Sequence, residues 1–64
     1  MQINGQAVNA AAGITLAQLL TQQGFDAARV AVELNDRIIC RSDFDAVRLA
    51  DGDTIEIVQF VGGG

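Results

Sequence analysis

The stretch LADGDTIEIVQFVGGG, residues 49–64, holds three signals whose order decides the fold: a turn, a strand and a run of glycines. Asp51-Gly52-Asp53 reads as the turn, because aspartate side chains bond to nearby backbone and glycine bends without steric cost. Thr54 to about Phe60 reads as a strand, with Ile55 and Ile57 on one face and Glu56, Val58 and Phe60 on the other. Gly62, Gly63 and Gly64 follow. Glycine is the residue least able to hold a fold together, since ordering it costs the most backbone entropy. A strand that runs into three of them either ends in a frayed terminus without a role or in an arm whose lack of side chains is what it is for.

The rest of the chain supplies partners for that strand. In MQINGQAV, residues 1–8, Asn4-Gly5 separates two short alternating runs, and both turn positions favour positive φ, so residues 1–9 read as a hairpin. A two-residue loop sets Met1 opposite Val8 and Ile3 opposite Gln6, which gathers Met1, Ile3 and Val8 on one face. VAVEL at 30–34, the turn pair Asn35-Asp36 and RIIC at 37–40 form a second hairpin. With Val30, Val32, Leu34 and Ile39 turned inward, Ala31, Glu33, Ile38 and Cys40 face the opposite way.

Between the hairpins, ITLAQLLTQQGF predicts a helix starting at Thr15. Thr15 and Gln18 have the spacing of a capping box, and Ile14 and Leu19 that of a hydrophobic staple. Leu16, Leu19 and Leu20 make one apolar stripe, while Gly24 fits a left-handed C′ position that folds Phe25 back on Leu20. Ser42 to Asp45 predicts a short helical turn with Ser42 as N-cap, anchored by Phe44, Val47 and Leu49. A small sheet with one helix across one face is an α+β arrangement.

Composition narrows the function. A chain of 64 residues, half of them hydrophobic and none of them proline, has the make-up of one folded domain near the lower size limit, where only about 60% of the unfolded surface is buried. Residues 1–61 are expected to form it, with 62–64 as a flexible tail. Eight acids against four arginines leave a net charge of −4, and Arg29, Arg37, Arg41 and Arg48 are scattered, which disfavours nucleic acid and favours partners with basic surfaces. No apolar run approaches membrane-spanning length and no leader pattern opens the sequence, so a cytoplasmic protein without a membrane partner is expected.

Little of the chain can do chemistry by itself. Without histidine there is no ordinary general base near neutral pH and no imidazole metal ligand. Asp51 and Asp53 lack the further oxygen ligands of a calcium loop and read as a turn. The single Cys40 excludes an internal disulfide and reads as a small apolar residue buried in a strand. As a nucleophile it would need a lowered pKa, for which Arg37 and Arg41 are the only candidate helpers. The remaining reactive group is the α-carboxylate of Gly64, ionised at pH 7 because its reference pKa is about 3.3–3.7. Three extended glycines reach about 10 Å beyond the strand, and without Cβ atoms they can thread a channel too narrow for any other sequence.

The order strand, Asn-Gly, strand, capped helix, strand, turn, strand, DGD, strand and terminal glycines resembles the ubiquitin-like β-grasp fold over the full chain. VAVELND, the polar RSDFD and LADGDTIEIVQFVGGG further resemble the thiamine-biosynthesis sulfur carrier family, ThiS. That family often has proline where this chain has Cys40, which leaves the end of the second hairpin strand open. The resemblance implies a carrier without a catalytic site or bound cofactor of its own. An E1-like enzyme using MgATP would adenylate Gly64, with Gly62 and Gly63 threading its active site. A sulfur-donating protein such as a cysteine desulfurase would feed formation of a thiocarboxylate, and thiazole synthase would accept the sulfur. Two alternatives stand beside this reading: the small subunit of molybdopterin synthase, which uses the same tail chemistry but donates sulfur to a pterin, and a ubiquitin-like protein modifier joined to target lysines by an isopeptide bond. Strand parity marks Ala31, Ile38, Val58 and Phe60, away from the helix, as the face for docking these partners.

Overall fold

The computed structural model describes residues 1–61. Its strands are β1 (Gln2–Ile3), β2 (Gln6–Ala7), β3 (Val30–Leu34), β4 (Arg37–Ile39) and β5 (Thr54–Gln59), with one α-helix, α1 (Leu16–Gln22). The order across the sheet is β2-β1-β5-β3-β4. β5 runs parallel to β1 and antiparallel to β3. The last strand in sequence is therefore the middle strand in space.

Both hairpins turn as the sequence predicts. Asn4 and Gly5 have φ of 51° and 81°, and Asn35 and Asp36 have 49° and 68°, the paired left-handed geometry that matches the twist of the flanking strands. Ile3 pairs with Gln6, and Glu33 with Ile38. Met1 accepts the Val8 N–H at 2.9 Å.

The helix is short but closed at both ends. Thr15 Oγ1 accepts the Gln18 N–H at 3.1 Å and Gln18 Oε1 accepts the Thr15 N–H at 3.0 Å. The remaining free amides of the first turn are met from a distance, Leu16 N–H by the Val47 carbonyl and Ala17 N–H by that of Phe44. At the other end Phe25 N–H bonds to the Leu20 carbonyl and Gly24 N–H to that of Thr21, with Gly24 at φ 82°, a Schellman closure. Seven residues are too few for a helix to persist in water unaided. Burial supplies the rest: Leu16, Leu19 and Leu20 have no exposed surface, and each such side chain contributes about 1.5–3 kcal/mol.

These leucines pack on the inward residues of the sheet, Ile3, Val30, Val32, Ile55 and Ile57, with Phe44 and Leu49 closing the core. Met1, Val8, Ile14, Phe25 and Ile39 pack around it, partly buried.

Two local readings are corrected. The short turn is a 3-10 turn over Arg41–Asp43 with Cys40 before it, and Ser42 does not cap it. Asp43 donates its N–H to the Cys40 carbonyl at 2.9 Å, so the backbone bonds begin two residues earlier and leave Ser42 inside the turn. For the same reason the fourth strand stops at Ile39 and not at Cys40. A further 3-10 turn, Ala27–Arg29, was not marked by the sequence pattern; Asp26 caps it by accepting the Ala28 N–H at 2.9 Å.

Candidate functional site

β5 carries the site, because it is hydrogen-bonded on both sides and leads directly toward the glycines. Phe60 donates its N–H to the Arg29 carbonyl at 2.7 Å, and Val61, the next residue, is 95% exposed. The folded body releases the chain between these two residues. Gly62, Gly63 and Gly64, read above as the threading arm and the modified residue, lie outside the described residues.

The face of the sheet away from α1 gathers the four residues marked by parity. Ala31 is the cross-strand partner of Val58, Ile38 extends the face onto β4, and Phe60 lies two residues beyond Val58. Ile38 is 82% exposed, Val58 60% and Phe60 55%. In a domain whose other large aliphatic side chains are mostly drawn into one core, three exposed together on one face form an apolar patch. It borders the point where the chain leaves the sheet.

Two acids share this face. Glu33 is the direct cross-strand partner of Glu56 and also of Ile38, so Ile38, Glu33 and Glu56 form one row across β4, β3 and β5. Facing like charges destabilise a sheet by something on the order of 0.5 kcal/mol. Among the described residues neither carboxylate takes part in an ion pair or a side-chain hydrogen bond. Alternation alone put both acids on the outer face. Their juxtaposition depends on the register between strands over 20 residues apart, for which the sequence holds no local signal.

Cys40 departs from the expectation of burial, being exposed and free. It follows the last residue of β4 and keeps the outward parity of Ile38, and parity decides its environment. Arg41, one of its two candidate helpers, donates Nε–H to the Ala27 carbonyl at 3.1 Å. Asp53 is a brace: one oxygen accepts from Asn35 Nδ2 at 3.0 Å and the other from the Ala50 N–H at 2.7 Å. Among the described residues no group of three His, Cys, Asp or Glu is placed to hold a metal ion, and no helix is long and apolar enough to cross a membrane.

A five-stranded mixed sheet with one helix across it, and its middle strand running out toward glycines, defines the ubiquitin-like β-grasp class. The comparisons are more specific. Residues 1–64 match the ThiS family. The chain is 40% identical to the sulfur carrier protein ThiS of Bacillus subtilis, covering 100% of this chain and 98% of that one. The crystal structure of the thiamine biosynthesis protein ThiS from Geobacter metallireducens superposes with a TM-score of 0.77 at 36% identity, covering 98% and 96% of the two chains. A thiazole synthase of Magnetococcus marinus contains a segment 45% identical to the whole of this chain. The chain spans about a fifth of the length of the thiazole synthases it matches. The chain belongs to the ThiS family.

Proposed function

We propose that this protein is the sulfur carrier of thiamine biosynthesis. The α-carboxylate of Gly64 attacks the α-phosphate of ATP on an E1-like enzyme, forming an acyl-adenylate and releasing pyrophosphate. The persulfide of a donor protein then displaces AMP to give an acyl disulfide, which a second thiol cleaves to the thiocarboxylate while a new disulfide forms with the donor's sulfur, and the thiocarboxylate passes its sulfur to thiazole synthase. Oxygen is a poor leaving group in a carboxylate and AMP a good one, so activation must precede sulfur entry. The thiocarboxylate remains anionic but offers a more polarisable nucleophilic atom.

The chain's own part is delivery. β5 is fixed on both sides and the body lets go only after Phe60, so the arm starts from a rigid point. The outer face with Ala31, Ile38, Val58 and Phe60 orients the body on each partner, which supplies the positional component of catalysis. The catalytic groups and MgATP belong to the partners. The observation that carries this reading is the run of the middle strand into side-chain-free residues, in a chain of the ThiS family. The segment shared with thiazole synthases supports that enzyme as the acceptor.

The test is a variant carrying one bulky residue after Gly64, protected from processing, in a strain that needs the protein for thiazole formation. It is expected to fold as the unextended chain does and to fail to support growth without thiazole. Growth equal to that of the unextended chain would overturn the proposal.

A further inference from the structure

Among the described residues, the last backbone bond along the outgoing chain ends on a turn and not on a strand. Phe60 donates its N–H to the Arg29 carbonyl at 2.7 Å, and Arg29 closes the 3-10 turn Ala27–Arg29 ahead of β3. No residue of that turn is buried, and only the half-buried Ala27 touches the core. Polar contacts hold it instead. Asp26 Oδ1 accepts the Ala28 N–H at 2.9 Å, and the Asp26 carbonyl accepts the Arg29 N–H at 2.9 Å. From the other 3-10 turn, beyond β4, Arg41 donates Nε–H to the Ala27 carbonyl at 3.1 Å, and a charged donor makes a bond about twice as strong as a neutral one. The 3.6 Å pair between Asp26 and Arg29 is exposed on both sides and adds little.

We propose that Asp26 and Arg41 are positioning residues for the end of the chain that is modified. By holding the Ala27–Arg29 turn they fix the Arg29 carbonyl, and through it the place where the chain leaves the sheet. The register between β3 and β5 ends at Val30 with Gln59, and Val61 is 95% exposed, so the Phe60 bond is the first to open when the turn loosens. The last fixed point then moves back into β5, and more chain separates it from the Gly64 carboxylate. The local concentration of a tethered group falls as about the −3/2 power of tether length, and its orientation toward the phosphate under attack is lost with it. The inference rests on the carrier reading above. It concerns the step after docking, since neither residue belongs to the apolar patch.

The test measures ATP–pyrophosphate exchange by the E1-like enzyme with the full chain as the varied substrate, and hydrogen exchange of the Phe60 amide in the free chain. In Arg41→Ala and in Asp26→Ala, kcat should fall about threefold with KM changed by less than about twofold. The Phe60 amide should exchange about tenfold faster in both, and the Ile57 amide should not. Asp26→Asn keeps the capping oxygen and should restore kcat and protection together. Thr15→Ala weakens the fold at the helix cap and is the control: its kcat should equal that of the unsubstituted chain, whereas a purely structural role for Asp26 and Arg41 makes all three alanine variants behave alike. An unchanged kcat in either Arg41→Ala or Asp26→Ala, or an equal fall in Thr15→Ala, would overturn the positioning role and leave the carrier reading standing. If the unsubstituted chain supports no exchange, the carrier reading fails and the positioning role with it.

Discussion

The side-chain amide of Asn4 takes the place of a peptide unit against Ile57: Ile57 donates its N–H to Asn4 Oδ1 at 2.7 Å, and Asn4 Nδ2 donates to the Ile57 carbonyl at 3.2 Å. β1 is two residues long, and this amide carries its ladder with β5 one step further, ahead of the point where the chain leaves the sheet. Asn35 braces the other end of β5 in a similar way, accepting the Thr54 N–H at 2.9 Å. The strand that aims the glycines is thus fixed by the turns of both hairpins.

Asn4→Ala should therefore cost about 2 kcal/mol, because it leaves a partly buried N–H without a partner and puts alanine at positive φ. Asn4→Gly keeps the turn conformation and should cost less, the difference separating backbone from side chain. Urea unfolding measures both. An unchanged midpoint for Asn4→Ala would show that the amide does not hold β5.

Removing the helix cap is a second test of local construction. Thr15→Ala deletes the acceptor for the Gln18 N–H and should lower stability by about 1 kcal/mol, while Thr15→Ser restores most of it. Thermal or urea unfolding distinguishes the two. Equal stability of all three proteins would mean that the amide finds another partner.

On the outer face the prediction is opposite in kind. Phe60→Ala and Val58→Asp alter exposed side chains and should change stability by no more than about 0.5 kcal/mol, yet slow adenylation by the E1-like enzyme. Circular dichroism and ATP–pyrophosphate exchange report the two quantities separately. Loss of folded signal in either variant would place these residues in the core and contradict the patch.

Cys40 should react with iodoacetamide in the native protein at a rate near that of a free thiol, since it is exposed. Cys40→Ser should be nearly neutral for stability. Protection of the thiol until the protein unfolds would refute its outward orientation.

The sequence made the local elements legible because their signals are local. Asn4-Gly5 and Asn35-Asp36 need only their own φ preferences to turn, and Thr15 with Gln18 needs only three residues to cap a helix. Alternation placed Ile55 and Ile57 inward and Val58 and Phe60 outward, as found. The frequency with which free cysteines are buried misled at Cys40, where parity gave the right answer from geometry. The parallel pairing of β1 with β5 joins residues about 50 positions apart in the chain, and no local pattern encodes it. The facing Glu33–Glu56 pair, part of the outer face, stayed hidden for the same reason: it arises only once β3 and β5 are in register.

The central claim is that the acid group of Gly64 becomes a thiocarboxylate, and fragment mass analysis of the C-terminal peptide tests it most directly, after co-expression with the adenylating enzyme and a sulfur source. Exchange of oxygen for sulfur has the same nominal mass change as one oxidation, and both Met1 and the exposed Cys40 oxidise, so the fragments must locate the change. The account predicts that fragments containing Gly64 carry the added mass and that those ending at Gly63 do not. Unmodified Gly64 fragments, with all added mass on Met1 or Cys40, would contradict it.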